Sequence, residues 1–380
     1  MNRRDFTADA ATLLAACALG VGKAGAAEGE STIGAAARAL HRRAVVLDCN
    51  LSPPAGYDAQ LPGWDPEQVT AETVATVRRS GLSAMKLTLG GFNSPFEATL
   101  AEIAAVQRLI EGRPDVFTQV RRVEEIQAAK AAGKLGIIFS FESAAALEDK
   151  VDRINLFRAL GVRVMQLAYN MPSPFGAGVL SPPDSGLTEL GRQAIARMNQ
   201  LGVAVDLSHA NSATAVAAMK ASTKPVLMTH GGCVAVHKHP RNKTDADLRA
   251  LAEKGGVFGI YDLFYLAPSP RQPNLDDYIA HMRHALDVCG EDHVGIGSDS
   301  SFDTLDVSPE SRAQWDKVLE ARKASGMAAP EEDRMPYTEG LNRADRSLVI
   351  ADALLRHGYP ERVVEKVLGA NFVRAFREIW

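Results

Sequence analysis

The sequence has few cysteines, no long hydrophobic run beyond its N-terminus and no excess of positive charge. Its 380 residues include 4 cysteines, none in a Cys-x-x-Cys spacing, which argues against a disulfide framework and against a cysteine-bound zinc. After the first 30 residues no apolar run reaches the roughly 18 residues that a transmembrane helix needs, which excludes a multi-span membrane protein. The net charge is −4 and no basic tract is present, so nothing indicates nucleic acid as a partner.

The remaining composition is that of a globular protein. Hydrophobic residues make up 46% and charged residues 23%, a balance that excludes a largely disordered chain, a collagen-like chain and a coiled coil. At about 150 residues per domain, the length allows two or three domains. A single (β/α)8 barrel preceded by an export signal would also account for the whole chain.

Residues 1–27 have the pattern of an export signal. Arg3 and Arg4 precede Phe6, an alanine- and leucine-rich run follows, and small residues occupy positions 24–26. This order is typical of a twin-arginine signal peptide that is cleaved after small residues.

We therefore expect a periplasmic protein whose mature part, residues 28–380, is a single catalytic domain. A lipid anchor on Cys17 is the less favoured alternative. The reason is that the apolar run continues beyond this cysteine to Val21, and a better cleavage site lies further along the chain.

Short apolar runs alternate with longer stretches whose hydrophobic residues recur with a helical period. Eight runs predict strands, at residues 44–49, 83–89, 136–142, 163–169, 203–208, 225–229, 256–261 and 293–298. The stretches between them predict helices, among them 66–80, 123–132, 148–160, 188–201 and 275–289. Eight strands that alternate with helices favour a (β/α)8 TIM barrel. A doubly wound sheet is the alternative, but no glycine-rich phosphate loop follows any strand.

Two segments are longer than a plain barrel requires. Residues 170–187, rich in proline and glycine, follow the fourth predicted strand, and residues 303–340 follow the eighth. The second segment contains a helical pattern near 308–326. Because loops at the carboxyl ends of barrel strands surround the active site, we expect both segments to form walls of a substrate pocket.

Polar residues at the strand ends are the candidate functional residues, because these ends meet around one site in a barrel. The candidates are Asp48, Asn50, Ser52, Lys86, Glu142, Tyr169, Asn170, His209, His230, Tyr261, Asp262 and Asp299. Two histidines on neighbouring strands, His209 and His230, together with Glu142 form a nitrogen and oxygen ligand set that suits zinc. Asp299 adds a carboxylate on another strand.

Each of these residues also has a purely structural interpretation. A lone histidine at a strand end is usually hydrogen-bonded within the fold, and Asp299 could cap the loop that follows it. The combination favours a metal, because a glutamate that ends an apolar strand is costly to bury unpaired. We expect His237 and His239, which lie in a loop, to face solvent. Arg241 beside them is ambiguous from its chemistry alone.

The motifs around these residues resemble those of the membrane dipeptidase family of zinc metallopeptidases, from about residue 35 to the C-terminus. The most specific are VDLSHANSATA around His209, VLMTHGG around His230, HPRNKTDADL around Arg241, GIGSD ending at Asp299, and GANFVRAF near the end. The resemblance implies a (β/α)8 barrel with two zinc ions bridged by a glutamate, and a homodimer.

The same resemblance implies roles for individual residues. Glu142 corresponds to the bridging ligand, and His209 and His230 to two ligands of one zinc. Arg241 corresponds to the residue that binds the dipeptide carboxylate or polarises its carbonyl. Asp299 corresponds to the residue that holds the substrate amine and manages its proton.

Two positions depart from the family pattern. The family usually has His-x-Asp after strand one, where both residues bind the other zinc, and this chain has Asn50 and Ser52. A neutral amide and a protonated hydroxyl are poor zinc ligands, so the sequence predicts one zinc per chain, or none. Tyr169 stands where many members have a histidine, and its hydroxyl can still donate a hydrogen bond to an oxyanion.

Three functions remain open at this point. The first is an exported hydrolase of dipeptides or related small amides, with Asp299 as the base beside a single zinc. The second is a non-hydrolytic enzyme of the isomerase or lyase type that acts on an exported metabolite. The third is a binding protein without catalysis, which the joint presence of Glu142, His209, His230, Arg241 and Asp299 disfavours.

Overall fold

The computed structural model describes residues 33–53, 67, 69–182 and 184–380. The predicted signal peptide at residues 1–27, with Cys17, lies outside the described residues, so its cleavage and the domain boundary at residue 28 stay predictions.

Parallel strands in the described residues form one sheet that closes on itself. The strands are β1 (Leu47–Asp48), β2 (Ala84–Thr88), β3 (Phe117–Gln119), β4 (Leu135–Phe141), β5 (Val162–Gln166), β6 (Ala204–Asp206), β7 (Leu227–Gly231), β8 (Val257–Ile260) and β9 (Val294–Ile296). Eight of them form a ring in the order β2, β1, β9, β8, β7, β6, β5, β4, and pairing of β2 with β4 closes it. The predicted (β/α)8 barrel is confirmed.

Strand β3 is outside the ring, and the sequence analysis did not predict it. It pairs with the first residues of β4, Leu135 to Ile137, whereas the later residues of β4 pair with β5. Only three residues long, β3 is too short to show an alternating hydrophobic pattern.

Helices cover the outside of the barrel. In the described residues they are α1 (Ala35–Arg43), α2 (Ala71–Ser80), α3 (Phe96–Gly112), α4 (Glu124–Ala131), α5 (Arg153–Leu160), α6 (Glu189–Leu201), α7 (Ser212–Ala221), α8 (Asp245–Glu253), α9 (Leu275–Cys289), α10 (Pro309–Ala324), α11 (Arg346–Arg356), α12 (Glu361–Glu365) and α13 (Asn371–Ile379). The predicted helix 275–289 has the observed bounds. Helix α2 begins later than predicted because Thr70 caps it, accepting a hydrogen bond from the main-chain N–H of Thr73.

The amino end of the barrel is closed by the C-terminal helix. Phe372 and Phe376 of α13 pack with Leu47, Ile138 and other barrel residues in one buried cluster. Gly295 in β9 permits this packing, because a Cβ there would lie 2.5 Å from the Phe372 ring. With this end filled, only the carboxyl end of the barrel is left for a functional site.

The two long segments lie over that carboxyl end. The main-chain N–H of Val179, in segment 170–187, donates to His209 O at 2.9 Å. The carbonyl of Met327, in segment 303–340, accepts from Asn170 Nδ2 at 3.1 Å. None of the helices in the described part of the chain has the length and hydrophobicity needed to cross a lipid bilayer.

Segment 170–187 contributes to the core, which gives a stability prediction. Phe175 is 1% exposed, so Phe175→Ala should lower the free energy of unfolding by about 3–5 kcal/mol. Met171 in the same segment is 38% exposed, and Met171→Ala is the matched control, expected to change stability by no more than about 0.5 kcal/mol. Urea denaturation followed by circular dichroism measures both. Equal effects of the two substitutions would show that the segment is not part of the core.

Candidate active site

The strand ends bring together side chains that are far apart in the sequence. Glu142 directly follows β4, His230 lies within β7, and His209 and Asp299 each lie three residues beyond a strand. The histidines are buried, with 2% and 0% of their surface exposed, while the Glu142 side chain keeps 14% exposed. The site is therefore built deep in the barrel mouth and is open on the carboxylate side.

Three side chains present ligand atoms to one point. The candidate atoms of Glu142, His209 and His230 all lie within 4.8 Å of one another. The two Nε2 atoms are 3.0 Å apart, and Glu142 Oε2 is 3.8 Å from His209 Nε2. These separations are close to those between ligands of a single tetrahedral ion.

The outer nitrogen of His209 is hydrogen-bonded to an amide. Nδ1 lies 2.8 Å from Asn170 Oδ1, and Asn170 Nδ2 donates to the carbonyl of Met327 at 3.1 Å. Because the amide nitrogen is used by that carbonyl, the oxygen end of Asn170 faces the ring and accepts from Nδ1–H. The Nε2 atom of His209 is then the unprotonated nitrogen of the neutral ring.

The outer nitrogen of His230 is hydrogen-bonded to a hydroxyl. Its Nδ1 lies 3.1 Å from Thr229 Oγ1, and that hydroxyl donates to Asp206 Oδ2 at 2.6 Å. Ser208 Oγ donates to the other Asp206 oxygen at 2.5 Å. Since both hydroxyl protons point to the carboxylate, Thr229 Oγ1 must accept from His230 Nδ1–H.

Two nitrogen lone pairs therefore face each other in the centre of the site. Burial, reinforced by the charge of Arg241, holds the pKa of both His209 and His230 well below the usual value, so both rings are neutral. Arg241 Nη2, 3.2 Å from His209 Nε2, can donate to one of these lone pairs, and a cation between the rings would satisfy both. The donor set, tautomers and charge state fit a divalent metal bound by Glu142, His209 and His230.

Asn50 connects the two carboxylates of the site. Its Nδ2 donates to Glu142 Oε1 and to Asp299 Oδ1, each at 2.7 Å. Because carboxylates only accept, these two bonds fix the orientation of the amide, and its Oδ1 lies 3.2 Å from Thr88 Oγ1. Ser52 is half-buried, and its main-chain N–H donates to Ser300 O at 3.0 Å.

Asp299 has an unusual backbone. Its φ of 56° lies in the left-handed region, and its main-chain N–H donates to Asn50 O at 2.7 Å. Its Oδ2 lies 3.9 Å from His230 Nε2. Burial and the neighbouring charge of Glu142 raise the pKa of Asp299 well above the usual value, and a bound cation would oppose this rise. Strained residues of this kind are concentrated at functional sites.

Arg241 is buried with its guanidinium against the metal-ligand candidates. It is 1% exposed, and Nη1 donates to Ser208 O at 2.7 Å. Nη2 lies 3.2 Å from His209 Nε2 and can donate to the lone pair of that nitrogen. The guanidinium is thus a fixed positive charge beside the centre.

His239 was expected to face solvent, and this prediction is wrong. The ring is 3% exposed, stacks on Tyr265 at 4.4 Å between centroids, and bonds through Nε2 to Pro330 O at 2.7 Å. Its Nδ1 accepts from the main-chain N–H of Arg241 at 3.1 Å, so it positions that residue. The sequence did not reveal this role because Pro330 belongs to the distant segment 303–340, which covers the loop.

Tyr169 forms one side of the site. Its ring stacks on His209 with 4.0 Å between centroids. Burial raises the pKa of the phenol to about 12, so the hydroxyl stays protonated and can donate. No hydrogen-bond partner for this hydroxyl is present among the described residues, and it is therefore available to a ligand.

Thr229, Asp206 and Ser208 were not predicted as residues that orient the site, and Asn170 was predicted only as a strand-end candidate. The first three lie inside the motifs around the histidines, and their proximity to His209 and His230 in the sequence was the only signal. Which ring nitrogen Asn170 and Thr229 contact depends on the barrel geometry, which the sequence does not state.

Comparison with known proteins identifies a family for the chain. Residues 35–319 match the family described as membrane dipeptidase (peptidase family M19). The chain is 26% identical over 284 residues to dipeptidase tcpJ of Claviceps purpurea, covering 74% of this chain and 60% of that protein. It is 26% identical over 346 residues to dipeptidase verJ of Clonostachys rogersoniana, covering 83% and 80%. The chain thus spans less than two thirds of tcpJ.

The fold of the chain is also similar to that of a solved structure. An amidohydrolase from Pseudomonas aeruginosa superposes with a TM-score of 0.78 and 30% identity, covering 90% of this chain and 99% of that one. The match to the family extends over three quarters of the sequence and includes every strand of the ring. The chain therefore belongs to the membrane dipeptidase family.

Proposed function

We propose that this protein is an exported metallohydrolase that cleaves dipeptides or related small amides with one zinc ion per chain. The observation that carries the proposal is the pair of Nε2 lone pairs of His209 and His230, 3.0 Å apart, with Glu142 beside them. Membership of the family and the dipeptidase names of its relatives support the substrate class.

Glu142, His209 and His230 would hold the zinc. A zinc ion bound there would act as a Lewis acid on the scissile carbonyl and lower the pKa of a water ligand toward neutrality. Asn170 and Thr229 keep the two imidazoles in the ligating tautomer, because each accepts the Nδ1 proton.

The remaining side chains supply proton transfer and charge stabilisation. Asp299 accepts a proton from the attacking water and returns it to the leaving amine, since its free Oδ2 faces the centre. Arg241 provides a fixed positive charge for the substrate carboxylate or its carbonyl oxygen. Tyr169 donates a hydrogen bond from its neutral hydroxyl to the developing oxyanion.

A second candidate function is non-hydrolytic chemistry of the isomerase or lyase type. The hydrogen bonds of Asn50 favour it, because one amide holds the Glu142 and Asp299 carboxylates where they could act as an acid and base pair. Hydrolysis is preferred because both imidazoles are arranged as ligands, which acid–base chemistry without a metal does not require.

The first test is metal content followed by hydrolysis. We expect one zinc per chain by elemental analysis, and none in His230→Ala, which loses a ligand. Chelation should abolish dipeptide hydrolysis and added zinc should restore it. Asp245 forms an ion pair with His284 away from the site, and His284→Ala is the control that should retain the metal.

Two zinc ions at full occupancy would contradict the one-metal proposal. A zinc-loaded protein that hydrolyses no dipeptide or related amide, but converts another metabolite, would favour the second candidate function.

The second test removes the base at Asp299. Asp299→Asn keeps the side-chain size and tolerates the left-handed backbone, while it removes the proton acceptor. We expect kcat to fall by about 10²–10⁴ with zinc content unchanged. Full activity would show that Asp299 only caps its loop, and loss of the zinc would show that it is a ligand.

The third test concerns export. We propose that the twin arginines Arg3 and Arg4 direct the protein to the periplasm, with cleavage near position 26 and without lipid on Cys17. Replacing both arginines with lysine should leave the protein in the cytoplasm, as measured by cell fractionation. Cys17→Ala is the control and should not change fractionation. A membrane-bound protein that this control releases would show lipidation.

A further inference from the structure

Lys86 is a buried cation that the proposed mechanism does not use. It lies in β2 and is 0% exposed. Its Nζ donates to Thr88 Oγ1 at 3.3 Å and to Ser140 Oγ at 3.2 Å. Within the described residues it forms no ion pair with any carboxylate. A buried ammonium whose hydrogen-bond partners are two neutral hydroxyls is costly unless negative charge nearby offsets it.

The nearest negative charge in the hydrogen-bond network is that of the active site. Thr88, which accepts from Lys86, donates to Glu142 Oε1 at 3.0 Å and contacts Asn50 Oδ1 at 3.2 Å. Asn50 in turn bridges Glu142 and Asp299. The ammonium is thus two hydrogen bonds from Glu142, through Thr88, and three from Asp299, through Thr88 and Asn50, and these linking groups carry no charge of their own.

We propose that Lys86 is a positioning residue that supplies a permanent second positive charge to the active site and thereby limits the centre to one metal ion. Its ammonium balances the charges of Glu142 and Asp299 through the hydrogen bonds of Thr88 and Asn50, and the Asn50 amide lies between their oxygens. A second dication there would meet both an ammonium and an amide N–H₂ group. This inference rests on the one-zinc site of the proposed function.

The first measurement is cobalt(II) binding to metal-free protein, followed by visible absorbance. Lys86→Met should bind the first ion at least about tenfold more tightly than the wild type, because it removes a like charge from a buried site. Lys86→Gln keeps a hydrogen-bond donor for Thr88 and Ser140 without the charge and should give the same shift. If Lys86 had only a structural role, both substitutions would weaken cobalt binding.

The second measurement is the number of cobalt ions bound per chain when a substitution introduces a carboxylate at position 50. Asn50→Asp alone should still bind one cobalt, since Lys86 neutralises the new charge. The double variant Asn50→Asp with Lys86→Met should bind two. Lys130 is the control lysine: it is half-buried, and its Nζ donates to the carbonyl of Ala44, which precedes β1 at the opposite end of the barrel. Lys130→Met in the Asn50→Asp protein should leave one cobalt.

Circular dichroism and melting temperature confirm that each variant is folded before titration. Two results would overturn the inference while the proposed function stands. One is an unchanged or weaker affinity for cobalt in folded Lys86→Met and Lys86→Gln. The other is a second bound cobalt in Asn50→Asp with Lys86 intact. A wild-type protein that binds no cobalt and no zinc would overturn the proposed function, and this inference with it.

Discussion

The two imidazoles of His209 and His230 must keep their inner nitrogens unprotonated, and the surrounding structure is arranged for this. Each ring donates its outer proton to an acceptor that is neutral and is itself fixed by a further hydrogen bond. A carboxylate directly on either ring would favour the imidazolium, and a neutral acceptor does not. Burial in the barrel then holds the rings in the form that ligates a metal.

Charge balance is the second constraint on the site. Two carboxylates, Glu142 and Asp299, and two buried cations, Arg241 and Lys86, lie around the neutral rings. Arg241 reaches its place from the loop after β7 and is held there by His239 and Ser208. Lys86 reaches its place from inside the barrel on β2. The two cations thus come from different elements, and they make different contacts: Arg241 lies against His209, whereas Lys86 bonds to the hydroxyls of Thr88 and Ser140.

The fold and the principal site residues could be predicted from the sequence because both depend on local pattern and strand order. Eight apolar runs alternating with helices give the barrel, and a barrel brings strand-end residues such as Glu142 and His230 to one place. Hydrogen-bond partners from distant segments could not be predicted. His239 was assigned to solvent because nothing near it in the sequence shows that residue 330 covers it. The hydrogen bonds from Asn50 to the two carboxylates could not be predicted either. Comparison with the family pattern shows that a metal ligand is missing at position 50, but not which hydrogen bonds its replacement forms.

One contact of the long segment 303–340 has a consequence for how this protein can diverge. The group that orients Asn170, and through it the His209 ring, is the main-chain carbonyl of Met327. Every amino acid supplies that carbonyl, so the side chain at position 327 can change while this hydrogen bond is kept. An insertion or deletion that moves the backbone at this point would instead remove the acceptor of the Asn170 amide and, with it, the group that orients the His209 ring. At this position, a change of amino acid is therefore tolerated and a change of loop length is not.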